Sequence, residues 1–445
     1  MNTILNFLLQ VQRLKIIRRT GWTIRGVKNP ERISDHAFRV TLLAWLLADK
    51  KGLDVKRCIT IALFHDFGDV YAGDITPYDH LLKGKKDSEK REILKKWVRF
   101  SKKERKEVRE NKFKKEKQSL LRLLRNLAPR LKREIFSSWM SFEHVVSREG
   151  KFVKQIDRIE ALIQSIEYFG AHGGGSSWWE RAEERVDNEL LIRFVKTVQK
   201  KFYKAPVKTI KEAKELRGIL DFILKTEVLK SMPRQGWVLR GVEQPETIAS
   251  HSFTVMVLTW ALYKLHATPH LDELKLLKMA LVHEICEVYA LDETPYDRLL
   301  KNKTGSAKKD VFKKWIRLSK KEKSEMFLKD YAKERKALSR LTKGLREDLQ
   351  KEIIGLWEEF KTSSTLEGHF LGQIEVLATL LQACLYWQKD RRFPIEGFWE
   401  WAFEISDTQM NFEFMEALKK KFAKKKFLFS DIFEKLNFFE FLKNN

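Results

Sequence analysis

The chain contains one sequence twice. RTGWTIRGVKNPERISDH (19–36) returns as RQGWVLRGVEQPETIASH (234–251), and ALFHDFGDVYAGDITPYDHLLK (62–83) returns as ALVHEICEVYALDETPYDRLLK (280–301). KKWVRFSKKE (95–104) recurs as KKWIRLSKKE (313–322), and KQIDRIEAL (154–162) as GQIEVLATL (372–380). His36 thus recurs as His251, 215 residues on, and His65 as His283, 218 residues on. That period is far longer than a solenoid repeat and matches a whole domain. The chain is therefore expected to hold two tandem domains, 1–203 and 217–423, joined by a linker at 204–216 around Pro206. Residues 424–445, with their FLFSDIFEKLNFFEFLKNN run, read as an amphipathic helix packing on the domains. Each unit is long enough to bury its own core.

Within a unit the patterning is helical. Phe38, Leu42, Leu43, Leu46 and Leu47 follow Ser34 at helical spacing, and the run stops near Lys51-Gly52. Asp54 predicts the N-cap of the next helix, which carries His65-Asp66 near its C-terminal end. Gly68, Gly73 and Pro77 then break the pattern into a loop bearing Asp74 and Thr76. A charged helix is expected from Asp87 to near Trp97. Ser101 with Glu104, and Ser319 with Glu322, are capping-box pairs. Pro129 suits the first turn of a helix, and the helix holding Asp157 should end before Gly173-Gly174-Gly175. No useful strand alternation occurs. The fold class is all-α, as two helical bundles.

The chemistry centres on the doublet His65-Asp66 in an apolar helical segment. Burying an imidazole beside a carboxylate is costly unless something holds both, and a divalent cation is the usual holder. His36 opens one apolar helix and Asp157 sits inside another, which completes a set of two imidazoles and two carboxylates. Taken singly, His36 could be a cap or a satisfied core histidine, and Asp157 an interhelical ion pair. Such a set suits Mn, Co, Fe or Zn, and its carboxylates also tolerate Mg.

The order His36, His65-Asp66, Asp157 resembles the HD-domain metal-dependent phosphohydrolases. GDITPYD after the doublet and RTGWTIRGV before His36 resemble in particular the 5′-deoxynucleotidase branch. The resemblance implies that His36, His65, Asp66 and Asp157 are the metal ligands of the first unit. It implies that Asp69 assists the attacking water, although the family has the longer glutamate there. It also places Asp74 near the sugar and Arg19, beside Trp22, on the phosphate, with Arg25 the competing arginine and Thr76 in the substrate loop. For each arginine the alternative is an ordinary surface charge. The stretch around KKWVRFSKKERKEVREN and the 424–445 tail fall outside the resemblance.

The second unit departs from this pattern. His251 and His283 remain, but the ligand carboxylates become Glu284 and Glu375, while Glu287 and Asp292 fill the assisting and sugar positions. Two added methylenes disturb a packed site, so a weakened or lost second centre is expected. Arg234, Trp237 and Arg240 persist. The resulting expectation is hydrolysis of a nucleoside monophosphate, most of all a 5′-deoxynucleotide, in the first unit. The rivals are phosphodiester or nucleoside triphosphate hydrolysis, and a non-catalytic nucleotide- or nucleic-acid-binding protein.

A net charge of +26 invites nucleic acid as a partner, but the lysines are spread along helices with no concentrating arm. A small nucleotide is therefore the expected partner, with nucleic acid not favoured. Cys58, Cys286 and Cys384 show no paired spacing, which fits a reducing cytoplasm. The N-terminal charges follow the apolar residues, unlike a signal peptide, and no run is expected to span a membrane. The duplication predicts a monomer with an internal pseudo-dimer.

Overall fold

The computed structural model describes residues 1–49, 52–95, 100–170, 176–203, 211–266, 270–292, 294, 296, 300, 311–312 and 316–422. Among these the regular structure is helical, and the extended pairing is limited to two isolated bridges, Arg18 with Arg32 and Pro233 with Thr247. The two bridges occupy equivalent places in the repeat. Each ties the segment carrying Arg19 or Arg234 to the start of a histidine-bearing helix.

The local signals act where they stand. Asp54 caps Val55–Phe64, its carboxylate accepting from Arg57 N at 2.9 Å. Ser101 and Glu104 close a reciprocal box on Lys102–Leu124, as Ser319 and Glu322 do on Lys320–Thr342. Pro129 opens Pro129–His144. The charged segment forms Asp87–Lys95. The His36 helix is Ile33–Ala48 and the Asp157 helix Arg148–Phe169. Gly150 lets the latter cross Pro129–His144, because a Cβ there would lie 2.1 Å from Ser141 O.

Ile33–Ala48 is buried on every side, as is its counterpart Ile248–His266 over its first fifteen residues. A helix apolar all round must be covered all round. The two cover each other: they pack together across the repeat, and each also packs on the helix that ends just before its own doublet, Val55–Phe64 or Glu273–Val282. One hydrophobic core runs continuously through both units. Polar contacts fix the register of this seam. Asp35 Oδ1 accepts from Thr247 Oγ1 at 2.5 Å and Ser250 Oγ at 2.6 Å, and the hydroxyls of Ser34 and Ser250 lie 2.8 Å apart.

Two expectations need correction. Residues 211–216, read as linker, begin the helix Lys211–Thr226, whose apolar face belongs to the core. Leu366–Lys389 is long and apolar enough to cross a membrane, contrary to the absence of any such run, and 78% of its apolar stretch is buried inside the protein. Its composition answers to that burial among neighbouring helices. Residues 204–210, Lys51, Trp97, Gly173–Gly175 and the expected helix at 424–445 lie outside the described residues.

Candidate metal centre and substrate pocket

Val55–Phe64 ends immediately before the doublet, so His65 and Asp66 leave the helix at its C-terminal turn. His65 Nδ1 lies 2.6 Å from Ala62 O, a contact that makes Nδ1 the protonated nitrogen. His65 Nε2 is then a lone-pair donor, buried and with no hydrogen-bond partner, 3.1 Å from Asp66 Oδ2. His36 is prepared in the same way. Its Nδ1 lies 2.6 Å from Glu160 Oε2, and its Nε2 lies 3.1 Å from Asp157 Oδ1 and 3.9 Å from Asp66 Oδ2. Donor atoms of His36, His65 and Asp66 all fall within 4.8 Å of one another, with Asp157 at the edge of the group. An orphaned buried imidazole nitrogen beside Asp66, with a second imidazole facing Asp66 and Asp157, fits a divalent cation.

The electrostatics agree with a site built for positive charge. Burial works against the His36 cation, as does Arg19, yet Glu160 and Asp157 raise it to about 9. Burial also opposes ionisation of Asp66 and Asp157, but the histidines and Arg19 hold both well below the usual carboxylate range. Arg19 Nη1 lies 3.1 Å from Asp66 Oδ2, and its charge is kept against burial by Asp74, Asp66 and Asp157. Asp69 is buried one turn beyond the doublet. That burial, with Asp66, Glu116 and Asp74 nearby, pushes its carboxyl well above the ordinary range.

The remaining predicted residues divide. Asp74 accepts from Thr20 N at 2.6 Å and so pins the Arg19–Trp22 segment to the GDITPYD loop. Trp22 is buried, donates to Glu31 Oε1 at 2.8 Å and packs against Trp178. Arg25 stands over the rings of Tyr78 and Trp178 at 4.9 and 5.4 Å, whereas Arg19 meets Asp66 at 3.1 Å. Thr76 turns its hydroxyl to Asp79 at 2.5 Å and serves the loop.

The second unit repeats the frame with changed contacts. His251, His283 and Glu375 bring donor atoms within 4.8 Å, while Glu284 and Glu375 each lie 3.3 Å from Arg234. The counterpart of Glu160 is Ala378. His251 Nδ1 therefore faces Glu246 at 3.7 Å, and its Nε2 contacts Glu375 at 2.7 Å. Burial and the neighbouring Glu284 raise Glu287 to about 8. Asp292 accepts from Gln235 N at 2.6 Å, as Asp74 does from Thr20. A cavity of about 190 Å³ lies here, lined by Arg234, Trp237, Arg240, Asp292, Glu375 and Phe398 among others.

Sequence reasoning missed Glu160, Glu31, Glu116 and Lys230. Glu160 was findable, because it stands one helical turn after Asp157 and on the same face. Lys230 had no local signal, since it reaches the first site from the other unit.

The HD-domain profile matches residues 11–191 and again 226–416. The chain is 35% identical over 166 residues to a Xenopus laevis protein named 5′-deoxynucleotidase HDDC2, a match spanning 37% of this chain and 69% of that protein. It is 32% identical over 166 residues to the Homo sapiens protein of that name, spanning 37% and 68%. It is 36% identical over 170 residues to Saccharomyces cerevisiae 5′-deoxynucleotidase YGK1, spanning 38% and 68%. With the profile matched twice and these relatives alongside, the chain belongs to the HD-domain family of metal-dependent phosphohydrolases, in its 5′-deoxynucleotidase-like branch, as a tandem duplication.

Proposed function

We propose that the chain is a metal-dependent 5′-deoxynucleotidase whose turnover lies in the first unit. The observation that carries this reading is the paired preparation of His36 and His65. Each gives Nδ1 to an internal acceptor and turns Nε2 toward Asp66. In this reading His36, His65, Asp66 and Asp157 hold the cation. Bound there, it would acidify a water and polarise a phosphoryl oxygen. Arg19 meets the phosphate, and Asp69 holds the attacking water and takes its proton. Asp74, fixed through one oxygen by Thr20, directs the other at the sugar and crowds a ribose 2′-hydroxyl.

The second unit, lacking a counterpart of Glu160 and with longer carboxylates drawn to Arg234, contributes little turnover. The protein works as a cytoplasmic monomer in which the two units replace a homodimer. Sedimentation equilibrium should then give a mass near 52.8 kDa, and a stable species of twice that mass would reject it.

The principal test is Asp66→Ala in the full chain, assayed for phosphate release from a panel of deoxy- and ribonucleoside monophosphates with Mn²⁺ or Co²⁺ added. Release should be abolished while helical circular dichroism is retained. Undiminished turnover would sink the assignment, and equal wild-type rates on deoxy and ribo substrates would remove the deoxynucleotidase label.

A further inference from the structure

We infer that Lys230, carried by the second unit, is a positioning residue for the first unit's site: it fixes Glu160, and Glu160 orients His36. This rests on the metal-site reading above and adds a role for the second unit that the ligand set does not contain.

Lys230 is buried, and within its own unit its ammonium lies 3.6 Å from Glu227. Its Nζ ion-pairs with Glu31 and, at 2.9 Å, with Glu160 Oε1, and it donates to Gln164. Glu160 gives its other oxygen to His36 Nδ1 at 2.6 Å, and Glu31 gives its own to the Trp22 indole at 2.8 Å. One ammonium from the second unit thus holds two first-unit carboxylates, one behind His36 and one behind Trp22. Arg39 completes the clamp, donating to Glu160 at 2.8 Å and bridging to Glu227 of the second unit at 2.8 Å.

The repeat supplies an internal control. The residue equivalent to Lys230 is Lys15, which pairs with Glu246 and donates to Gln382 at 2.6 Å. There the chain of contacts stops short of a tightly held histidine, because Ala378 stands where Glu160 would be. The equivalents of Arg39 and Glu227 are Thr254 and Gln12, a neutral pair 3.2 Å apart. What the first site alone has is Glu160, held by Lys230 and Arg39 and set against His36. Side chains that orient a ligand histidine tune metal affinity through it.

The full chain is stripped of metal and titrated with Co²⁺, whose visible absorption reports ligand geometry, and unfolding is followed separately. Lys230→Met should weaken Co²⁺ on the order of 10-fold and alter the spectrum. In a Glu160→Gln background the same change should have no further effect, because the route through Glu160 is already cut. Lys230→Arg keeps the charge but moves it. In the metal-free protein it should shift the downfield Nδ1 proton resonance of His36, an arm that stands even if the Met variant does not fold. Wild-type Co²⁺ affinity in Lys230→Met, equal losses in both backgrounds, or an unmoved resonance in Lys230→Arg would each overturn the inference. A wild type that takes no Co²⁺ would instead sink the metal reading, and the His36 resonance would still decide the positioning.

Discussion

Replacing Ser250 with aspartate tests the seam between the units directly. The duplication places Asp35 and Ser250 at equivalent positions, and the structure puts them in contact, Ser250 Oγ donating to Asp35 Oδ1 at 2.6 Å. Asp35 is wholly buried and also accepts from Thr247 and from Arg32 N. Ser250→Asp would set a second carboxylate against the first inside the core. At an effective dielectric near 20, two charges about 4 Å apart repel by about 4 kcal/mol. The pair has an escape: one carboxyl can take a proton and donate it to the other. At pH 7 that costs about 4 kcal/mol for a group with an ordinary value near 3.9, and at pH 4.5 about 1 kcal/mol.

The signature is therefore a destabilisation that fades on acidification. The sign follows from linkage, since the folded pair holds a proton that the unfolded chain releases near pH 4, so stability falls as pH rises. Ser250→Asn is the control: it has the same size, carries no charge and can still donate to Asp35. Urea unfolding of both variants at pH 7 and 4.5 separates charge from crowding, which itself costs about 1–3 kcal/mol. Aspartate should be about 4 kcal/mol worse than asparagine at pH 7 and about 1 kcal/mol worse at pH 4.5. Equal stabilities at pH 7, or a gap that does not shrink in acid, would refute the buried contact between the units.

Gly150→Ala should destabilise by about 2–3 kcal/mol in thermal or urea unfolding, because the new Cβ meets the Ser141 carbonyl, a backbone atom that cannot swing away. Glu284→Ala should leave phosphate release nearly unchanged, and a loss as deep as that of Asp66→Ala would make the second site catalytic. Glu167 is raised to about 8 by burial, opposed by Arg39 and reinforced by Glu227. A folded value above the unfolded one gives stability that is full below about 4.5 and lost as pH rises through about 8. Unfolding free energies between pH 5 and 9 should therefore fall less steeply in Glu167→Gln than in wild type, and identical slopes would reject the shift.

What could be read from the sequence was whatever depends on near neighbours. The caps at Asp54, Ser101 and Ser319 need only three residues to act, and the apolar spacing after Ser34 needs only one helix. His36, His65, Asp66 and Asp157 stood out as a costly set of residue types in apolar runs. The residues that hold these in place were harder to see. Glu160 looked like one more charge on a helix, and its meaning lies in the closure that brings His36 against it. Glu31 and Lys230 are 199 positions apart and gain their roles only when the two units pack. Thr76 was assigned to the substrate by its place in the loop, and its contact with Asp79, three residues on, was not foreseen. The linker was drawn too long because its last residues are polar at the start of an amphipathic helix.

The distribution of charge along the seam bears on why both units persist. Burying an ion pair generally gains little stability over apolar packing, because each ion must be taken out of water. Arg39, Glu160, Lys230 and Glu31 are all buried, so their desolvation cost is paid in full. The second unit keeps the buried Lys15–Glu246 pair but has Thr254, Gln12 and Ala378 where the first site has Arg39, Glu227 and Glu160, so the fold closes without those three charges. A purely structural seam would have no reason to carry Arg39, Glu227 and Glu160 on one side and uncharged residues at the equivalent places on the other. A seam that positions one catalytic histidine has such a reason, since a single fixed carboxylate behind His36 is worth the cost only where His36 must hold its orientation.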